Sequence, residues 1–301
     1  MKIHGQQLLR AIMLLAFSLM IFRLHWTGEM NKFVNPKYDN LSLIAATIFL
    51  VLFIVQLFRT LTFSKSKSCG CHHCGRRHDH GDGMFTIKKG FSYGILALPI
   101  GTGLFLPISV LNADIAAQKG GVFMLMKQQA QIEEVVELQT PEVVDIYNHE
   151  EDPGLEEGKQ EMTESAYKQL KNELAKKGQV VMTNADFMIY YDAINTDLSS
   201  YIGREMQMTG FVLKDQRLSS QQFIVSRFLI THCIADASVV GFLAEMSETV
   251  VLQKDTWVEV TGTIAVTELD GLHLPVLQIE KWREIAEPSE PYIYPIDVFF
   301  E

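Results

Sequence analysis

LSLIAATIFLVLFIVQLF, residues 41–58, runs for eighteen residues without a charged side chain. A helix needs roughly 20 apolar residues to cross the hydrocarbon core of a bilayer. This run therefore decides the fold class, because it makes the chain a membrane protein before anything else is read. Two further apolar runs flank it. Leu8–Trp26 has the centre AIMLLAFSLMIF, with Arg10 and Arg23 near its ends, where long basic side chains reach the headgroups. A cleaved signal peptide is the competing reading of that run, but no small-residue cleavage site follows it. Phe91–Leu111 carries Pro99, Pro107 and three glycines, which membrane helices tolerate when neighbours satisfy the freed backbone groups. A re-entrant hairpin is its alternative.

The expected membrane domain is thus residues 1–111, with spans at about 8–26, 41–58 and 91–111. Basic residues orient it. Arg59, Lys65, Lys67, Arg76, Arg77, Lys88 and Lys89 crowd the 59–90 loop, against only Lys32 and Lys37 in the first loop. Three spans put the N terminus and the 59–90 loop on one side, expected to be cytoplasmic. The C-terminal part is then extracytoplasmic, on a multi-pass protein of the plasma membrane.

The 59–90 loop contains SCGCHHCGRRHDH, residues 68–80. Cys69, Cys71 and Cys74 supply thiols, and His72, His73, His78 and His80 supply imidazoles. The cytosol is reducing, so a disulfide is not expected there. Thiolate with imidazole suits zinc, and copper(I) is the second choice because thiolates are soft. Structural zinc sites pair ligands across a dozen or more residues. This cluster is local, so the expectation is an exchangeable metal-handling site; the bland alternative is a solvated loop.

Residues 112–178 read as linker. GGVFMLMK (120–127) is a short apolar patch, expected to rest on the membrane surface or on a partner. Gln131–Glu164 holds twelve acidic residues against one lysine, as a solvated spacer does. Glu161–Lys177 has apolar residues every fourth position, which suggests an exposed helix.

Residues 179–301 read as a folded α+β domain. QVVMT begins as a strand, Thr183 or Asn184 is the expected N-cap, and Phe187, Tyr191, Ile194, Leu198 and Tyr201 form one helical stripe. Five strand-like runs follow: Met206–Leu213, Phe223–Ile230, Val239–Ala244, Trp257–Val266 and Leu272–Lys281. Gly210 and Gly262 inside two of them suggest tight bends. A small OB-like five-stranded β-barrel fits the count and lengths, with a β-sandwich fragment as the alternative. The full expectation is N-terminal transmembrane α-helices followed by this α+β domain. From Gln179 onward there are 18 acidic residues against 7 basic ones, so the domain repels phosphate backbones and no nucleic-acid partner is expected.

FLITHCIADAS, 228–238, offers a candidate second metal site in His232, Cys233 and Asp236. Neighbours on a strand face opposite sides, so the first two converge only at a bend. Asp236 and Ala237 suggest such a bend, and His273 is the one other histidine in the domain. In the bland reading, Cys233 is a small hydrophobe and Asp236 a turn cap.

TGEMNKFVNPKYDNLSL (27–43), the proline-bearing third run, RFLITHCIADASVVGFLAE and WVEVTGTI together resemble the YcgQ-type proteins, a bacterial membrane family of unknown function. The most specific part is matched by Arg227, Phe228, Ile230, Cys233, Ala235, Asp236 and Ala237. The resemblance implies an accessory subunit working with a predicted multi-span permease, and links to zinc homeostasis. It implies no catalysis. Relatives often have two adjacent cysteines where this chain has His232-Cys233, which excludes a vicinal disulfide here.

The first expectation is therefore a metal-linked accessory protein of a permease. Three spans are too few for a transport path, so a partner or a homo-oligomer is needed. The second is a structural assembly module of a membrane complex without a metal role. No enzyme is expected, since no phosphate loop or His-Glu-x-x-His occurs.

Overall fold

The computed structural model describes residues 5–62, 87–105, 111–123, 126–127, 161–247 and 252–299. The chain divides into two compact units, Met1–Ser109 and Val110–Glu301.

The first unit holds α1 (Gly5–Trp26), α2 (Asp39–Thr62) and α3 (Ile87–Phe105). Two helical segments, Gln6–Trp26 and Pro36–Thr60, are long and apolar enough to cross a membrane; Gly90–Leu104 is a shorter apolar helix. Helices in lipid approach through small residues and interhelical hydrogen bonds. Here Ala11 and Ala46 are buried, and the buried Ser18 hydroxyl donates to the Ala46 carbonyl of α2 at 2.9 Å. Phe17 of α1 lies 5.9 Å from Phe49 of α2, centroid to centroid. The α1–α2 connector is ordered by two 3-10 turns, Glu29–Lys32 and Pro36–Tyr38. The Asn35 side chain accepts from the Lys37 N–H at 3.0 Å, and Pro36 sits in the first turn, where no backbone donor is needed. The stretch 27–43 is thus a built turn.

The second unit is β-rich. It contains α4 (Ala113–Gln118), β1 (Glu161–Thr163), α5 (Glu164–Lys176), β2 (Gln179–Val181) and α6 (Phe187–Thr196). Then come the long strands β3 (Glu205–Leu213), β4 (Gln222–Leu229), β5 (Ser238–Met246), β6 (Trp257–Leu269) and β7 (Leu272–Glu284). Two short strands, β8 (Tyr292–Ile293) and β9 (Asp297–Phe299), end the order. β3 pairs antiparallel with both β4 and β6, β4 with β5, and β6 with β7, while β5 and β7 run parallel. Each of the five long strands therefore has long-strand partners on both sides.

Alternate residues face opposite ways, so the sheet buries two clusters. On one face Met206, Met208, Val225, Phe242, Val260 and Leu277 pack with α6. Met188, Ile189 and Tyr190 of α6 are buried along with Phe187, Tyr191 and Ile194. The helix is thus enclosed nearly all round instead of presenting one stripe. Its N-cap is Asp186, later than Thr183 or Asn184, because the Thr183 hydroxyl is used one turn earlier, accepting from the Asp186 N–H at 3.2 Å. Nor is α5 merely exposed: Leu174 is buried in the same cluster.

On the other face Phe211, Ile224, Phe228, Leu243 and Val276 pack with Ala113, Ala116, Val122 and Met126. Val122 and Met126 of the 120–127 patch are therefore buried against the sheet, inside the unit. Polar contacts pin the same segment. Leu111 N–H donates to the Tyr292 hydroxyl at 3.3 Å, Ala113 N–H donates to the Asp255 carboxylate, and Lys254 pairs with Asp114 at 2.5 Å. The Asp215 carboxylate is held below its ordinary value of 3.8, first by the Arg217 side chain and also by the Val122 N–H. A depressed carboxylate stabilises above the unfolded-state value, and that contribution disappears as pH falls through the folded value. Hydrogen-exchange protection at Val122 is accordingly expected to hold near neutrality and to drop only below pH 3.8. Protection that is flat with pH, or that drops on alkalinisation, contradicts this tie.

Candidate functional site

The turn between β4 and β5 gathers the three residues of the candidate second site. β4 ends at Leu229, and Ile234–Asp236 forms a 3-10 turn before β5 starts at Ser238. Asp236 organises it. One carboxylate oxygen, Oδ2, accepts from the His232 N–H at 2.8 Å and the Cys233 N–H at 3.2 Å, and lies 3.1 Å from His232 Nδ1. His232 is exposed, and Cys233 is half-buried and a free thiol. His232 and Asp236 are thus brought together, at the bend the sequence suggested. His273 stands on β7, opposite Glu268 of β6. Among the described residues no three His, Cys, Asp or Glu are grouped so as to hold a metal ion. Cys69, Cys71, His72, His73, Cys74, His78 and His80 lie outside the described residues.

Asp236 acts here as a turn cap. Asp236→Ala is expected to cost about 1 kcal/mol, as loss of a capping carboxylate does. The His232 and Cys233 amides should lose hydrogen-exchange protection together, whereas unchanged exchange at both would remove the capping role.

The residue that the sequence left without a role is Arg227, the first of the motif. It lies on β4 within QFIVSRFL, is only 2% exposed, and has no ion-pairing carboxylate among the described residues. A buried charge is tolerated only when its donors are matched. Arg227 Nε donates to Pro291 O at 3.0 Å, and Nη1 to Thr209 O at 3.4 Å. Nη2 donates to Asn184 Oδ1 at 3.0 Å and Glu290 O at 2.9 Å. The guanidinium also stands 5.4 Å from the Trp257 ring centroid. All four partners are neutral oxygens, so burial dominates and lowers the Arg227 pKa to about 10. This one side chain ties β4 to β3, to the segment before α6 and to the segment before β8. An arginine inside a strand of apolar residues was the available signal, because such a side chain is buried only when the fold supplies acceptors.

Arg227 also forms part of the wall of a groove of about 430 Å³. Thr183, Asn184 and Thr209 give that wall further polar groups, and Met182, Ile285 and Pro288 give it an apolar side. Arg283 also lines it, donating to Glu259 from Nε at 2.8 Å and from Nη2 at 3.0 Å.

Both units have counterparts among known proteins. Residues 9–122 match the DUF1980 N-terminal domain, and residues 157–295 match the DUF1980 C-terminal domain. The chain belongs to this family. It is 29% identical over 295 residues to UPF0703 protein YcgQ of Bacillus subtilis, covering 95% of this chain and 98% of that protein. It is 27% identical over 293 residues to a protein of Streptococcus mutans serotype c that carries the provisional name of two-component membrane permease complex subunit. That match covers 95% of this chain and 99% of the relative. The resemblance to the YcgQ-type proteins read from the residues therefore extends across both units.

Proposed function

We propose that this protein is a non-enzymatic accessory subunit of a membrane permease complex, held in the bilayer by its N-terminal helices. The observation that carries the reading is the end-to-end similarity to the streptococcal relative, whose provisional name describes such a subunit. The two long apolar helices fit it, and α3, read as a third span, covers the proline-bearing run as far as Phe105. With three spans, the basic 59–90 loop is cytoplasmic and the second unit faces outward. The five long strands are read as an OB-type barrel. In support, their ladders form a circuit, β3 to β4 to β5 to β7 to β6 and back to β3, with the one parallel pair at β5–β7.

The donor set of the 69–80 loop, three thiols and four imidazoles, fits zinc, and this chemistry supports a metal-handling role for the complex. His232, Cys233 and Asp236 would be a second contact for metal on the opposite side of the membrane. The use of Asp236 by two backbone N–H groups favours, at that turn, the reading as an assembly module without metal. Zinc titration of the purified chain and of a Cys69→Ser, Cys71→Ser, Cys74→Ser variant separates the two readings. Loss of tight zinc sites in the variant supports metal handling. Equal zinc stoichiometry in both proteins removes the loop from the account.

A further inference from the structure

We propose that the groove at Arg227 is a binding site for a carboxylate carried on a short apolar stem. Four of the five guanidinium N–H groups of Arg227 reach neutral oxygens; the remaining one, on Nη1, has no acceptor among the described residues. The residue is buried, belongs to the wall of the groove and lacks an ion-pairing carboxylate among the described residues. The nearby Glu290 carboxylate is occupied with Asn184 Nδ2 at 3.2 Å. Arg283 has its charge met by a direct ion pair with Glu259, whereas Arg227 has Glu290 near it but no such direct pair among the described residues.

Size and lining set the ligand class. A volume of about 430 Å³ lies in the range of small-molecule pockets. Met182, Ile285 and Pro288 offer a surface for a few methylenes, while Thr183 and Thr209 add polar groups beside the charge. The domain around the groove is strongly acidic, with 18 acidic against 7 basic residues from Gln179 onward. Its net negative charge opposes polyanions, so a monoanion is the class of anion that fits the groove. An entering carboxylate would supply the counter-charge that burial denies Arg227, through a charge-assisted hydrogen bond. Two sources carry this chemistry: a free organic acid, or the C-terminal carboxylate of a partner polypeptide. The groove would bind either whether or not the chain assembles with a permease.

Calorimetric titration of the full chain in detergent tests the site with four probes. These are butyrate, butyramide, an apolar tripeptide with a free C terminus, and the same tripeptide amidated. Butyrate is expected to bind saturably, and butyramide about tenfold or more weakly, the cost of losing one charge-assisted bond. The free peptide should exceed its amide by the same factor. A free peptide that binds much more tightly than butyrate assigns the site to a partner's terminus; comparable binding assigns it to a free acid. Ala286 lies exposed on the groove wall, outside the strands and outside the Arg227 network. Ala286→Trp fills the entrance and Ala286→Glu places a competing carboxylate there, and both are expected to abolish butyrate binding with unchanged melting. The proposal is overturned if no carboxylate probe binds, if acid and amide bind alike, or if both Ala286 variants bind butyrate as the parent does.

Discussion

Arg227→Met is expected to destabilise the second unit by about 3–5 kcal/mol, the range seen when one partner of a buried polar network is removed. Methionine fills similar space and packs well, so the loss isolates the polar term from a cavity term. It leaves Pro291 O, Thr209 O, Glu290 O and Asn184 Oδ1 without their shared donor. Each buried unsatisfied acceptor costs about 1–3 kcal/mol, and the groove admits water to some of them, which keeps the total below the simple sum. Domains are stable by only about 5–15 kcal/mol, so this change consumes a large share. Arg227→Lys should recover little, because an ammonium donates from one point and cannot span acceptors fixed around a planar fork. The denaturant midpoint of the full chain, followed by tryptophan emission, measures both. Trp257 lies close to the guanidinium and should also change its emission in the folded state. A midpoint within error of the parent would mean that Arg227 is dispensable to the fold.

Gly262→Ala is the second change with a large expected effect. The β6–β7 ladder slips register between Thr261 and Gly262. A Cβ at Gly262 would stand 2.1 Å from Gln278 O, 2.8 Å from Gln278 C and 2.9 Å from Ile279 Cα. All three are backbone atoms of the paired strand, so no rotamer change relieves the clash and the ladder itself must move. The expected cost is about 3 kcal/mol or more, at the upper end for overpacking. Gly178→Ala is the matched control, since nothing lies within 4 Å of its added Cβ. It should be neutral or slightly stabilising, because alanine restricts the unfolded chain. Equal melting of the two variants would contradict the close approach at the bulge.

These residues also show how far the sequence could be read. The long strands were legible because a two-residue period writes burial directly into residue type: β6 alternates buried and partly exposed positions from Trp257 to Ala265. Gly210 and Gly262 were legible as special positions inside strands, and both are places where the backbone of the paired strand comes too close for a side chain. Gly210 indeed faces a carbonyl, Ser226 O, at 2.6 Å from an added Cβ. Strand partners were not legible. The parallel pairing of β5 with β7 joins residues more than thirty positions apart, and nothing local encodes it. The packing of Val122 and Met126 was not legible, because an apolar patch looks alike whether it meets lipid or a sheet. Only the fold shows Val122 and Met126 under Phe211 and Ile224. At the candidate sites, Asp236 as a turn former was readable from its position after a strand. Arg227 had no legible role beyond its motif, because three of its four partners are backbone carbonyls, and carbonyls leave no mark in residue identity.

The central claim, membership of a permease complex, is tested most directly by native mass spectrometry of the chain extracted from its own membranes in mild detergent. The account predicts a discrete heteromer containing this polypeptide and a second, multi-span membrane protein in fixed ratio. Recovery of this chain only as a monomer or as a homo-oligomer, with no second polypeptide at any detergent concentration, would contradict it.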